Sequence, residues 1–275
     1  TVYIQEIKVP EHLVLDSTIR SVEIVGGETV TFTATNNIIQ GQIRVTKLDA
    51  DTGKTVLKAG TQFDIYNALT DAKVATITTD NSGVATSNLL NYGIYYVKEA
   101  TAPGDYLIQA EASDPILVYV LNRVYDVTIS NERVTGTVNL TKEDSVYGDA
   151  AQGEATLEGA VYGLYAKEDI LDPSGDGTVI HAKDSLVASL TTDAQGKASV
   201  SDLYLGRYYL KEITASEGYT LDTNVYDITL SYADQNTTVI TASQTVKEKV
   251  KSQAFQIIKV TDGDDDQLEL LEGAE

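Results

Sequence analysis

Three lysines end short strand-like segments whose other inward residues are apolar. The segments are GQIRVTK, GTVNLTK and AFQIIK, which close at Lys47, Lys142 and Lys259. Because side chains alternate between the two faces of a strand, Lys47 shares its face with Ile43 and Val45. A single lysine in such a position usually extends to water from the strand end. Three lysines in the same register favour buried amines instead.

A glutamate and an asparagine have the same inward parity further along the chain. Glu99 shares a strand face with Val97 in YYVKEA, and Asn131 shares one with Ile129 in VYDVTISN. Burying a lone charge is costly, so buried groups of this kind must pair, become neutral or react. Apolar burial lowers the pKa of a lysine and raises that of a glutamic acid. If the three residues converge, the pattern predicts that Lys47 is a neutral nucleophile beside a protonated acid.

The elements that carry these residues recur in the same order. The first copy begins at Gly41 and contains the lysine strand, an Asp/Gly turn, GTQFDIYN, a TTDNSG turn, YYVKEATAPGDY and a closing strand. The second copy begins at Gly136 and contains LEGAVYGLYA, TTDAQG and YYLKEITASEGY. Short strands with frequent turns, repeated at about a hundred residues, predict all-β domains in tandem.

The repeats divide the sequence into four segments. We expect residues 1-40 to be the C-terminal part of one domain, 41-135 and 136-251 to be complete domains, and 252-275 to be the N-terminal part of a further domain. An insert near 167-185 contains Pro, Gly, Ser and Asp, which predicts a surface excursion from a hairpin. The junctions have no Gly/Ser-rich linker, so we expect closely stacked units in a stiff rod.

Composition excludes several classes of function. The 275 residues carry a net charge of -21, which argues against nucleic acid or an anionic membrane as a partner. Cysteine is absent, so disulfides and thiol nucleophiles are excluded. The Asp/Gly clusters are better explained as turns than as metal sites, and we expect no cofactor. Without an initial Met, a signal peptide or a sorting tail, the sequence is expected to be an internal fragment.

The motifs GQIRVTKLDADTG, YYVKEATAPGDY and ISNERV resemble the collagen-adhesin B-type, or SpaA-like, isopeptide-forming domains of Gram-positive surface proteins and pilins. The resemblance implies tandem Ig-like (reverse-Ig, Cna B-type) β-sandwich domains. It also implies that the Lys47 amine is bonded to the side-chain carbonyl of Asn131 with release of ammonia. Glu99 would then polarise the amide carbonyl and relay protons.

The second copy departs from this pattern at its closing strand. Lys142 and Glu212 match the family lysine and glutamate. Aligning KEKV with NERV puts Lys247 in the place of the asparagine, whereas strand parity from Ile240 favours Gln244. Neither residue is asparagine. A buried Lys142–Glu212 pair is therefore the alternative to a crosslink in this copy.

Each terminal segment carries only part of the set of lysine, glutamate and asparagine. Glu6 and Asn36 match the glutamate and asparagine in residues 1-40, and Lys259 matches the lysine in residues 252-275. Each part lacks its complement in this sequence.

These observations predict a structural stalk or shaft segment of a pilin or cell-surface adhesin. We expect it to be extracellular and anchored to the cell wall, with neighbouring domains of the same chain as partners. Bond formation would be autocatalytic and occur once, so the protein would not be a turnover enzyme. One alternative is an adhesin module that recognises a host extracellular-matrix protein or glycan, for example through the insert. The other is a spacer beside an enzyme domain outside this sequence.

Overall fold

The computed structural model describes residues 1–252. Within that range the chain forms β-strands and no helix, which confirms the all-β prediction. It follows that this range has no helix long and apolar enough to cross a membrane. Lys259 lies outside the described residues.

The first forty residues form little regular structure. Strands β1 (Val2–Ile4) and β2 (Arg20–Val22) pair antiparallel. A single bridge joins Leu13 to Ile38, shortly before the next strand begins.

The first repeat contains two sheets that face each other. Its strands are β3 (Gln40–Asp49), β4 (Gln62–Asn67), β5 (Lys73–Thr78), β6 (Val84–Thr86), β7 (Leu90–Asn91), β8 (Gly93–Thr101), β9 (Ile116–Val118) and β10 (Val124–Asn131). One sheet has the order β10-β3-β6, with β7 also paired to β3, and the other has the order β5-β4-β8-β9. Alternating residues of both sheets, among them Ile43, Val45, Phe63, Ile65 and Val97, are fully buried between them. Burial of each such side chain contributes about 1.5–3 kcal/mol.

The second repeat has the same arrangement with one added hairpin. Its strands are β11 (Thr135–Asp144), β12 (Val161–Ala166), β13 (Ile170–Leu171), β14 (Val179–His181), β15 (Leu186–Thr191), β16 (Lys197–Leu203), β17 (Gly206–Thr214), β18 (Val225–Leu230) and β19 (Val239–Glu248). The sheets have the orders β16-β11-β19 and β15-β12-β17-β18. The hairpin β13-β14 lies between β12 and β15, within the insert predicted from the sequence.

The first and last strands of each repeat are parallel neighbours. In the β3–β10 pair, Lys47 stands opposite Ile129 and Asp49 stands opposite Asn131. In the β11–β19 pair, the residue opposite Asp144 is Glu248. In each repeat this pairing places the end of the last strand beside the lysine on the first strand.

The turn of the insert packs against the first repeat. The backbone N–H of Leu57 donates to the carbonyl of Ser174 at 2.7 Å, and Lys54 Nζ lies 2.9 Å from Asp176 Oδ2. Ser174 is fully buried. The insert leaves the hairpin formed by β12 and β15, but the expected surface excursion is partly covered because its turn joins the two repeats.

A glycine turn fixes the backbone of each buried lysine. The Lys142 N–H donates to the carbonyl of Gly196 at 2.7 Å, and the Lys47 N–H donates to that of Gly83 at 2.9 Å. Gly196 has a φ of 72°, and a Cβ at this position would lie 2.3 Å from the Lys142 carbonyl oxygen. The TTDAQG motif therefore needs glycine both for its conformation and for its close approach to β11.

We predict that Gly196→Ala destabilises the second repeat by about 2–4 kcal/mol, because backbone strain adds to a steric clash. The matched control is Gly153→Ala. Gly153 also has a positive φ, of 61°, but apart from Gly153 and its two chain neighbours no atom of residues 1–252 lies within 4 Å of a Cβ built there. The control should lose only about 1 kcal/mol. Equal losses for the two variants in thermal unfolding would contradict the clash.

Candidate functional site

Lys47 is enclosed by the first repeat. Its strand alternates between buried and partly exposed residues, and the lysine falls on the buried face with 0% exposure. Its Nζ donates to the carbonyl of Ile129 at 2.9 Å and contacts the side-chain oxygen of Asn131. The amine is thus directed along the sheet to the last strand rather than outward to water.

Glu99 completes the cluster from the opposite sheet. Its Oε1 lies 3.6 Å from Lys47 Nζ, and its Oε2 accepts from Asn131 Nδ2 at 2.8 Å. The backbone N–H of Gln109 donates to the same Oε2 at 2.7 Å. Glu99 Oε1 has no hydrogen-bond partner within residues 1–252. The structure therefore brings an amine, a carboxamide and a carboxyl group into direct contact.

Burial governs the protonation of this cluster. It lowers the pKa of Lys47 to about 8, although the neighbouring carboxyl of Glu99 acts in the opposite direction. Burial also raises the pKa of Glu99, against the opposing effects of Lys47 and of the hydrogen bonds from Gln109 and Asn131. Both shifts favour a neutral amine beside a neutral acid, which is the state in which the amine is nucleophilic.

A second carboxylate near Lys47 was missed by the sequence analysis. Asp49 is buried two residues after the lysine and accepts from the Tyr106 hydroxyl at 2.8 Å and from the Thr52 N–H at 2.7 Å. Burial would raise the pKa of Asp49, but these hydrogen bonds hold it below its ordinary value. The second repeat repeats this arrangement, with Tyr219 donating to Asp144 at 2.9 Å. The sequence signal was the tyrosine that closes both APGDY and SEGY.

The second repeat encloses a related cluster around Lys142. The lysine has 0% exposure, and its Nζ lies 3.9 Å from Glu212 Oε1. Its direct partner is Glu248, whose Oε2 contacts Nζ and whose Oε1 accepts from the hydroxyl of Tyr162. Burial lowers the pKa of Lys142 to about 8 and raises that of Glu212.

Neither residue considered for the acceptor position in the second repeat reaches Lys142. Gln244 is partly exposed and donates to the backbone carbonyl of Thr245, and Lys247 is exposed. Strand β19 continues to Glu248, which has the inward parity of Gln244 and lies four residues beyond it. Aligning KEKV with NERV was wrong by one residue, because Glu248 and not Lys247 occupies the register of Asn131.

The two partial matches in residues 1-40 also meet. Asn36 Nδ2 donates to Glu6 Oε2 at 2.6 Å, and the Asp16 N–H donates to the same oxygen at 2.9 Å. Lys259, the partial match in residues 252-275, lies outside the described residues.

The comparisons with known proteins agree with this architecture. The family described as SpaA, a prealbumin-like fold domain, matches residues 41–144 and 136–246. A search of curated proteins gives no match. A solved structure of the TIE protein of Bacillus anthracis matches with 27% identity and a TM-score of 0.66, covering 90% of this chain and 41% of that one. The chain thus spans less than half of that structure.

Two pilins are among the other solved structures that match. A streptococcal ancillary pilin is 19% identical with a TM-score of 0.33, covering 91% of this chain and 75% of its own. The shaft pilin SpaA of Lactobacillus rhamnosus GG is 14% identical with a TM-score of 0.31, covering 78% of this chain and 99% of its own.

The depressed pKa of Lys47 gives a pH-dependent stability when no bond to position 131 can form. In Asn131→Ala the folded lysine should have a pKa of about 8, below its ordinary value of 10.5. Between these values the unfolded state binds more protons, so the free energy of unfolding should rise with pH, by at most about 1.4 kcal/mol per unit.

The reference for this measurement is the double variant Asn131→Ala/Lys47→Met, in which all other titrating groups remain. The quantity to measure is the difference between the two variants in denaturant-derived stability across that pH window. A difference that does not change with pH would contradict the buried neutral amine.

Proposed function

The chain belongs to the SpaA family of prealbumin-like fold domains, which it contains in two tandem copies, and on this premise we propose that it is a shaft segment hardened by an isopeptide bond between Lys47 and Asn131. The segment is pilin-like, and we place it in an extracellular, wall-anchored pilin or adhesin of a Gram-positive bacterium. The observation that carries the proposal is the enclosure of Lys47, Asn131 and Glu99 in one contact cluster without exposed amine or carboxyl groups.

The geometry supports a specific division of roles. The neutral Lys47 Nζ attacks Cγ of Asn131, and a new N–C bond replaces the bond from Cγ to Nδ2. Glu99 Oε2 contacts Nδ2, so the acid is at the leaving group and can transfer the amine proton to it, after which ammonia departs. The family resemblance also implies that Glu99 polarises the side-chain carbonyl of Asn131. In this structure Lys47 contacts the oxygen of that carbonyl, which favours the proton-relay role.

Such a bond would stabilise the domain chiefly through the unfolded chain. It would join the first strand to the last and close almost the whole repeat into a loop. By analogy with a disulfide that closes a loop of this size, the stabilisation is about 4 kcal/mol. It would also replace a buried amine and a buried primary amide by one secondary amide, which has fewer hydrogen-bonding groups that need partners.

The short connection and the direct contacts between the repeats support the proposal of a shaft. Residues 132–134 are all that separate β10 from β11. The side chain of Arg133 is nearly buried between the repeats. Its Nε lies 3.0 Å from Asp51 Oδ2 and its Nη2 lies 2.5 Å from Asp202 Oδ1. Its guanidinium carbon lies 4.2 Å from the ring centroid of Tyr204. Gln235 of the second repeat accepts from the Ala102 N–H of the first at 2.9 Å. Neighbouring domains of the same chain are thus the partners we propose.

The alternatives have less support. The insert could not present its whole turn to a host ligand while Ser174 and Asp176 contact the first repeat. A turnover enzyme must regenerate its groups, whereas here the amine and the carboxamide would be consumed in the product.

We predict that the purified chain lacks the mass of one ammonia from its first repeat, and that Glu99→Ala retains it because the proton relay is removed. Lys47→Met and Asn131→Ala should also retain their full first-repeat mass. The measurement is mass spectrometry of the denatured chain and of its proteolytic fragments. A fragment joining Lys47 to Asn131 is the expected product.

Arg44→Ala is the control for these variants, because Arg44 lies on the exposed face of the same strand and pairs with Asp126. It should lose ammonia like the unmodified chain. Full mass in the first-repeat fragments of the unmodified chain would refute the bond.

We also predict that Arg133→Ala loosens the junction without affecting the bond. The variant loses two ion pairs and a contact with an aromatic ring that together contribute about 1–2 kcal/mol. NMR relaxation should therefore report more independent tumbling of the two repeats, while Arg44→Ala should leave their tumbling unchanged. Identical relaxation in Arg133→Ala and the unmodified chain would mean that other contacts hold the junction.

A further inference from the structure

The second repeat contains its own acceptor at the position of the asparagine. Glu248 stands opposite Asp144 on the neighbouring strand, as Asn131 stands opposite Asp49. Its carboxyl carbon is therefore presented to the lysine of its own repeat, and its Oε2 contacts Lys142 Nζ. Glutamate differs from asparagine in two respects: it is one methylene longer, and it carries an oxygen in place of the leaving nitrogen.

The buried amine has different neighbours in the two repeats. In the first repeat, Lys47 Nζ donates to the backbone carbonyl of Ile129. In the second, Lys142 Nζ lies 4.4 Å from the ring centroid of Tyr219. The amine remains fully enclosed in both repeats.

A second substitution accompanies the glutamate. Tyr162 stands opposite Glu212, as Phe63 stands opposite Glu99 in the first repeat. The phenol adds a hydroxyl that phenylalanine lacks, and this hydroxyl donates to Glu248 Oε1. Tyr162 is fully buried, so the hydrogen bond is formed away from water. The exchange of phenylalanine for tyrosine thus supplies a hydrogen-bond donor to Oε1 of Glu248.

We propose that the second repeat forms an isopeptide bond between Lys142 and Glu248 with loss of water, assisted by Tyr162 and Glu212. The proposal rests on the proposed function, because it assigns a second bond of the same general kind. It differs in the acceptor, the leaving group and the hydrogen-bond donor.

The reaction balances without any further reactant. The neutral amine of Lys142 attacks Cδ of the protonated carboxyl group of Glu248, and negative charge develops on Oε1, where the Tyr162 hydroxyl stabilises it. Glu212 Oε1, 3.9 Å from the amine and without a hydrogen-bond partner in residues 1–252, takes a proton from Nζ. Glu212 then passes that proton to Oε2 of Glu248, the Cδ–Oε2 bond breaks, and water leaves, so Glu212 ends in the protonation state in which it began.

The competing description is a buried network of ions. It would hold the ammonium of Lys142 beside Glu212 and Glu248, with Asp144 also buried nearby. Enclosed charges of this kind are costly because their hydration is lost. Condensation removes the charges of Lys142 and Glu248 and leaves a neutral amide. Burial of the cluster therefore favours the covalent product.

The first test is mass spectrometry of the unmodified full chain under denaturing conditions. We expect the second repeat to lack the mass of one water, and proteolysis to release one branched fragment joining the segment around Lys142 to that around Glu248. Lys142 within it should resist trypsin. Separate linear fragments at full mass would overturn the proposal.

This result is independent of the first repeat. The Lys47–Asn131 bond removes ammonia and gives a different branched fragment, so failure of either bond is identified by its own fragment. The measurement on the unmodified chain also requires no variant to fold.

Variants then test the assigned residues. Lys142→Met should restore the mass of water, whereas Lys247→Met, an exposed neighbour of Glu248 that pairs with Glu143, should not. Loss of water in Lys142→Met would overturn the assignment of the nucleophile.

Tyr162→Phe tests the hydroxyl, since it recreates the phenylalanine of the first repeat. We expect the water loss to slow by about 100-fold or more, as for loss of a donor to a developing oxyanion. The control is Tyr165→Phe, whose ring stacks on Tyr209 away from the cluster. The rate is followed by intact mass after refolding from denaturant. Equal rates for the two variants would overturn the role of Tyr162.

Discussion

An amine held out of water is the constraint on which both repeats depend. Lys47 and Lys142 are each fully buried at the boundary between two facing sheets. Such a group needs oxygen partners from several directions, and no single strand can supply them. The parallel last strand supplies one, the opposite sheet supplies the glutamate, and the glycine turn fixes the lysine backbone itself. The strand order of each repeat is the arrangement that brings these partners together.

The sequence could reveal which residues of the site face inward, because side chains alternate along a strand. A period of two places Lys47, Glu99 and Asn131 on inward faces, and the hydrophobic pattern identifies the all-β class. Parity does not say where a strand ends. The inward-facing residues that begin at Ile240 continue to Glu248. The similarity of KEKV to NERV instead aligned Lys247 with Asn131.

Contacts made by turns were beyond prediction from the sequence. Nothing in the composition of the insert indicates that Ser174 meets Leu57 of the preceding repeat, because the contact joins backbone groups that every residue has. The tyrosines Tyr106 and Tyr219 were similarly hard to assign. A tyrosine ring at either position could simply pack in the hydrophobic core. Only the structure reveals that each hydroxyl donates to an aspartate, Asp49 or Asp144, on the strand that carries the buried lysine.

The parallel pairing of β3 with β10 has a mechanical consequence. The chain enters the first repeat at the start of β3 and leaves it at the end of β10, and the two strands are in register from Gln42 with Val124 to Asp49 with Asn131. In the absence of the proposed Lys47–Asn131 bond, tension applied along the chain therefore acts on this ladder in shear, so its hydrogen bonds resist together rather than opening one at a time. The next strand in the line of tension is β11, which pairs with β19 in the same way. The intervening strands lie to the side of this line, so they can vary in length, as the insert does, without altering how the repeat responds to pulling.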